Sequence, residues 1–126
     1  MYGMVITMKW NVLLFDEFDV EFTAFPRDVQ TAMLAKARML EHFWPQLGRP
    51  YVDTLEGSKH ANMKELRFDA DDGVWRAAFA FDPHRQAVIL VAGDKSGISE
   101  KRFYRSLIAK ADKRFDDYLA QQKKEA

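Results

Sequence analysis

Two hydrophobic repeats alternate along the chain and divide it into elements. From Lys9 to Phe15 apolar side chains fall on both faces of a period-two pattern, Trp10, Val12 and Leu14 against Leu13 and Phe15, which predicts a well-buried first strand. The period then lengthens. Phe18, Phe22 and Phe25 recur at spacings of four and three, predicting a helix over 16–25 that Pro26 stops. Asp16, Glu17 and Asp19 at its start complement the positive end of the helix dipole. A second stripe of Val29, Met33, Ala37, Leu40 and Trp44 predicts a helix over 27–44, ended by Pro45, Gly48 and Pro50. Joined through Pro26, the two helices form an α-hairpin able to cover one face of a sheet.

An extended stretch at 49–52 and a turn at Leu55-Glu56-Gly57 lead back to period two. Strands are predicted over 63–68, 74–81 and 87–92, separated by turns at 69–73 and 82–86. In the middle strand Trp75, Ala77, Phe79 and Phe81 form an apolar row, so Arg76 points the other way. In the strand before it Lys64, Leu66 and Phe68 oppose Met63, Glu65 and Arg67. Asp72-Gly73 is a hairpin signal, because glycine tolerates positive φ, and the loop is expected to be wider than two residues. If Leu66 and Phe68 join the Trp75 row in the core, Arg67 and Arg76 share the outer face. Two guanidinium groups there repel, so an anion belongs between them, or Glu65 neutralises them from within.

The last strand closes on Gly93-Asp94-Lys95-Ser96-Gly97, and Ser99 is placed to cap a final helix. Phe103, Leu107, Ala111, Phe115 and Tyr118 or Leu119 repeat at helical spacing along it, with a polar tail from Gln121 expected to fray. The order β-α-α-β-β-β-α describes an α+β domain, an antiparallel sheet with an α-hairpin on one face and a C-terminal helix. One domain over 8–122 accounts for the pattern, with loosely held ends at 1–7 and 123–126; Met8 would serve equally well as a start.

Composition narrows the class. With 48% hydrophobic and 30% charged residues, 126 residues suffice for a globular core. The absence of cysteine removes disulfides, thiol nucleophiles and thiolate metal sites, and suits a reducing cytoplasm. No apolar run is long enough to span a bilayer, and no signal-peptide pattern opens the chain. Net charge is zero, against indiscriminate nucleic-acid binding. The distribution is uneven: acids outnumber bases eight to five up to Glu56, and bases outnumber acids twelve to eight from Gly57 to Arg114. That basic half is either one polyanion site or a solvated helix.

His42, His60 and His84 lack metal-ligand spacing, so no metal or cofactor is expected. There is no GxSxG elbow, Walker loop or GxGxxG fingerprint. What remains is a set of donors: Arg67 and Arg76 from strands, Lys95 from the loop, Lys101 and Arg102 from the helix start, and Tyr104 one turn in. Such a set suits phosphodiester cleavage of RNA, where the substrate's own 2′-hydroxyl is the nucleophile. The protein then has only to orient the chain, stabilise the phosphorane and protonate the leaving oxygen. Arginine's fork matches two phosphate oxygens, and Tyr104 offers a stacking face for a base. The structural alternative pairs Arg67 with Glu65 or Asp69, Arg76 with Asp72, and sets Tyr104 at the core rim.

The segments Leu55-Glu56-Gly57, Lys64-Glu65-Leu66-Arg67-Phe68, Trp75-Arg76-Ala77-Ala78-Phe79, Ile89-Leu90-Val91-Ala92-Gly93-Asp94-Lys95, Phe103-Tyr104 and Ala111-Asp112 together resemble the RelE/ParE toxin superfamily. The likeness runs from about Trp10 to Leu119 and is closest to the HigB-like, phage-derived branch. It implies a type II toxin–antitoxin toxin: an endoribonuclease acting on messenger RNA, usually on the ribosome, and silenced by a helix-turn-helix antitoxin. It also implies catalytic positions at Arg67, Arg76, Lys95 and Tyr104; on that reading the basic residues Lys59, Lys101 and Arg102 are expected to hold the RNA or ribosome backbone. His60 is grouped with the RNA-binding residues, and could supply an acid or base as histidines do in some HigB-like members. The chain departs from the best-studied branch at Met63 and Glu65, where that branch has lysines, and at Asp94, each lowering positive charge at the site. The ParE-like branch of the same scaffold is associated with gyrase inhibition, which leaves a non-nuclease binding protein, or an inactive antitoxin-binding relic, as the alternative. A phage structural or accessory protein is a third reading.

Overall fold

The structure, a computed structural model, describes residues 10–44 and 46–125. The expected loose start over 1–7, the assignments at Met8 and Lys9, the helix stop at Pro45 and the last tail residue, Ala126, lie outside those residues. The chain runs β1 (Asn11–Leu14), α1 (Asp16–Thr23), α2 (Arg27–Phe43), β2 (Val52–Thr54), β3 (Met63–Ala70), β4 (Gly73–Phe81), β5 (Gln86–Asp94) and α3 (Glu100–Glu125). The α+β order expected from the periodicity holds, with one more short strand, β2, in the stretch read as extended. The sheet order is β1-β5-β4-β3-β2. Its four later strands are antiparallel, and β1 joins β5 in parallel at Leu14↔Ile89. That parallel pair is possible because the α-hairpin supplies the long connection that leads away from β1.

The α-hairpin covers the face carrying Trp75, Phe79 and Phe81. Phe18 and Phe22 of α1, and Val29, Met33, Ala37 and Leu40 of α2, are buried at helical spacing. Phe25 meets Trp75 with ring centroids 5.1 Å apart, and Trp44 stacks on Phe81 at 4.4 Å. The other face is not open. α3 lies across it and buries Phe103, Leu107, Ala111 and Phe115. The face on which Arg67 and Arg76 were expected to meet solvent is therefore a second core face. Ser99 caps α3 as expected, its Oγ accepting the Arg102 amide at 3.2 Å. The helix continues to Glu125, beyond the expected fraying point, because Gln122 Nε2 donates to Asp82 Oδ2 and to the Tyr118 hydroxyl at 3.0 and 2.8 Å.

Two local features differ from the expectation. The β3–β4 turn has two residues, Asp71 and Asp72, both at positive φ (51° and 58°), where aspartate is tolerated through local polar contacts. Gly73 pairs with Ala70 inside the ladder instead of turning the chain. A side chain there would meet the Asp94 carboxylate at 2.5 Å, so glycine is required for space. In β5 an irregularity at Leu90 shifts the register between Ala78↔Val91 and Phe79↔Ile89. Leu90 O accepts from Arg114 Nη1 at 2.7 Å, and the same guanidinium binds Glu21 of α1 through both oxygens at 2.9 and 2.6 Å. Arg114, grouped by sequence with the solvated bases, is only 6% exposed and ties α1, β5 and α3 together.

Candidate functional site

Arg67 and Arg76 are direct cross-strand partners in the β3–β4 ladder and share a face. Glu65, two residues before Arg67, is on that face as well. Its Oε1 lies 3.5 Å from Arg67 Nε and 3.4 Å from Arg76 Nε. The hydroxyl of Tyr104, one turn into α3, donates to the same oxygen at 3.1 Å. The four groups are drawn from three elements, β3, β4 and α3, and the sequence explains why α3 comes so close. Gly93 pairs with Arg76, and a Cβ there would stand 3.2 Å from the Phe103 ring. The missing side chain lets Phe103 settle on β5, which sets the next residue, Tyr104, over Glu65.

The electrostatics are those of a desolvated carboxylate between cations. Burial pushes the Glu65 carboxyl above the ordinary glutamate range, against the pull of the Tyr104 hydrogen bond, Arg76 and Arg67. Burial, and then the Glu65 charge, raise the Tyr104 phenol, so it stays protonated and donates. Arg76 is 5% exposed; its Nη1 donates to Trp75 O at 2.9 Å. Its buried Nε–H is within ion-pair distance of Glu65 but lacks hydrogen-bond geometry to any acceptor among the described residues. A buried guanidinium N–H without an acceptor is costly. The internal neutralisation of both arginines therefore runs through Glu65; Asp69 and Asp72 take no part in their ion pairs.

Lys95 sits beside this cluster. Its ammonium is 6.0 Å from the Tyr104 ring centroid and 2.7 Å from Glu100 Oε1. The Lys95 hydrogen bond, more than any other influence, holds the Glu100 carboxyl below its ordinary range, with Arg76 and Arg67 adding to it. Lys101, three residues before Tyr104, lies on the same side of α3 and is exposed. Arg102 turns instead to a groove between β5 and α3, bordered by Val91, Gly93, Ile98, Leu107 and Lys110. Asp94, which reads in sequence as a charge deficit at the site, pairs with Trp75 and so belongs to the opposite face. There its Oδ1 accepts from the amides of Val74 and Ser96 at 3.0 and 2.9 Å, closing the turn.

Lys59 and His60 are not brought to the cluster. Both pair with Asp116, His60 Nε2 at 2.8 Å, and Ser58 with Lys59 N binds Asp112. Asp116 is twelve residues past Tyr104, about 18 Å along the helix axis. These contacts fasten the β2–β3 loop to α3. Two residues at the site's border were not anticipated. Lys36 of α2 and Tyr51, just before β2, join Pro50, Arg67, Phe68, Asp69 and Arg76 around an open cleft of about 350 Å³. Nothing in the local pattern of either residue marks it. Only the sheet edge brings them together.

Comparison with known proteins agrees with this architecture. The family described as phage derived protein Gp49-like matches residues 20–116. A Mycobacterium tuberculosis H37Rv protein provisionally named toxin HigB3 is 42% identical over 109 residues, covering 86% of this chain and 93% of that protein. A second from the same strain, provisionally named toxin HigB2, is 44% identical over 96 residues, 75% of this chain and 47% of its own length. The chain therefore spans nearly all of the first relative and about half of the second.

Proposed function

This chain belongs to the phage-derived Gp49-like, HigB-like family, and from that premise we propose that it is the toxin of a type II toxin–antitoxin module, acting as a metal-independent endoribonuclease on messenger RNA at the ribosome. The observation that carries this reading is the buried Arg76 guanidinium. It is held opposite Arg67, with an Nε–H that no acceptor among the described residues satisfies, beside a carboxylate and a phenol that can move or orient a proton.

Glu65 is the general base. Sequence reasoning took it for a loss of charge. Its carboxylate takes the proton of the 2′-hydroxyl as the 2′-oxygen bonds to phosphorus. Arg76 and Arg67 carry the charge that builds on the phosphorane. The bond from phosphorus to the 5′-oxygen breaks, and that oxygen takes a proton from Lys95. The products are a 2′,3′-cyclic phosphate and a free 5′-hydroxyl. Tyr104 aims the Glu65 oxygen and presents its ring toward the base. A base whose proton affinity is raised toward neutrality is more effective at the pH of a cell, which is the direction in which burial moves Glu65. Lys101 holds the flanking backbone.

The partner is a helix-turn-helix antitoxin, and the site of action is the cytoplasm. Among the described residues no helix is long and apolar enough to cross a membrane. One observation favours the non-catalytic reading, as a gyrase-binding toxin or an antitoxin-binding relic: Glu65 already neutralises both arginines, and Glu100 takes Lys95. Induced expression followed by mapping of message ends separates them. Codon-phased cuts are expected. Intact messages with DNA-damage signalling would select gyrase.

A further inference from the structure

We infer that the cleft bordered by Lys36 and Tyr51 is a second binding subsite, for the phosphate and sugar of the nucleotide next to the scissile one. The inference rests on the reading of Arg67 and Arg76 as the scissile-phosphate clamp. β2 begins at Val52, and the last backbone bond before it runs from Arg67 N to Tyr51 O at 2.8 Å. Past that bond, on the side away from β4, no strand among the described residues pairs with β3 at Phe68 and Asp69. The gap left there is the 350 Å³ cleft, and Arg67 and Arg76 form one of its walls. It therefore opens directly from the catalytic cluster around the sheet edge.

Its charge fits a polyanion. Three cations, Lys36, Arg67 and Arg76, line it with one carboxylate, Asp69; Glu65 offsets charge on the two arginines, which leaves Lys36 as the cation it does not reach. Lys36 has its ammonium 4.4 Å from the Tyr51 ring centroid, and among the described residues it makes no ion pair with a carboxylate. An ammonium resting on an aromatic face, with no counter-ion, next to two arginines that converge on a proposed phosphate site, is placed to take the adjacent phosphate. A positively charged groove with an aromatic wall is how single-stranded nucleic acid is generally held. The strand would then pass from Lys101 and Tyr104, over Arg76 and Arg67, to Lys36.

The test measures binding of a fluorescent single-stranded oligoribonucleotide to the purified full chain by anisotropy over a range of low salt concentrations. Lys36→Gln is expected to weaken binding about fivefold, the loss of one screened ion pair, and to reduce the slope of log affinity against log salt by about 0.7. Lys36→Arg is expected to retain both. Wild-type affinity and slope in Lys36→Gln would overturn the subsite, as would failure of the wild-type chain to bind the oligoribonucleotide at all. Cleavage is scored separately in a ribosome-based translation mixture. Lys36-dependent binding without any cleavage supports a phosphate site in the cleft but sinks the nuclease reading and, with it, the placement beside a scissile bond; cleavage with Lys36-independent binding overturns the subsite and leaves the nuclease reading standing.

Discussion

Arg67 and Arg76 stand opposite each other in the β3–β4 ladder and reach the same oxygen of Glu65, at 3.5 and 3.4 Å. Like charges in directly paired positions destabilise a sheet unless something answers them. Here one buried carboxylate answers both, and it leaves the Arg76 Nε–H without a hydrogen bond. Charge is balanced within the cluster, while one hydrogen-bond donor is left over. Its expected consequences can be measured.

Arg76→Ala is expected to lower message cleavage by about 10²–10³-fold, the loss of one donor to a developing oxyanion, and to abolish growth arrest on induction. Circular dichroism should show a folded chain, because Glu65 keeps Arg67. Full toxicity in a folded Arg76→Ala protein would remove Arg76 from the mechanism.

Glu65→Gln tests the base. In the wild type, cleavage should fall as pH drops through the Glu65 value, and that acid limb should lie above the ordinary glutamate value of 4.5, since burial raises the group. Above it the carboxylate is ionised and can accept a proton; below it, it cannot. The variant should lose the limb and run about 10²–10⁴-fold slower, the usual contribution of a positioned base. An unchanged pH profile would assign the proton to another group.

Arg114→Ala addresses the fold alone. Removing its bonds to Glu21 and to Leu90 O should cost about 2 kcal/mol in urea unfolding at neutral pH. Arg114 holds the Glu21 carboxyl below its ordinary value of 4.5. That contribution is complete above the ordinary value and disappears as pH falls through the lowered one. The stability gap between wild type and variant should therefore narrow as pH falls below that ordinary value, and only partly, because Glu21 is partly exposed and its pairing is screened. A gap independent of pH would mean that the lost packing, and not the ion pair, carries the effect.

Gly73→Ala should destabilise by about 1–3 kcal/mol, an overpacking cost, since the new methyl would displace the Asp94 carboxylate from the Val74 amide. If glycine were there only for turn freedom, Ala would cost little at this in-strand position. Chemical denaturation of the purified variant distinguishes the two.

Much of this was legible in the chain because a side-chain period of two leaves little choice. Once Leu66, Phe68 and Trp75 are taken inward, Arg67 and Arg76 must share a face, and they do. The same rule could not show that α3 crosses that face, so Arg76 was expected outside and is buried. Glu65 was readable as a neighbour of Arg67; its use as the acceptor for Tyr104 depends on how closely Gly93 lets Phe103 approach. Asp94 was misread for a different reason. Simple alternation from Ile89 sets it beside Arg76, but the extra residue at Leu90 flips everything after it to the other face. Lys36 and Tyr51 carry no local signal at all, because the cleft between them exists only where β2 stops short of β3.

The most direct test of the proposed chemistry uses a message carrying a single 2′-deoxy nucleotide on the 5′ side of a mapped cut, translated in the presence of the purified protein. Without that hydroxyl there is no nucleophile, so cleavage at that bond should disappear while neighbouring sites are still cut to 2′,3′-cyclic phosphate and 5′-hydroxyl ends. Undiminished cutting at the deoxy position, or ends bearing a 5′-phosphate, would contradict the account.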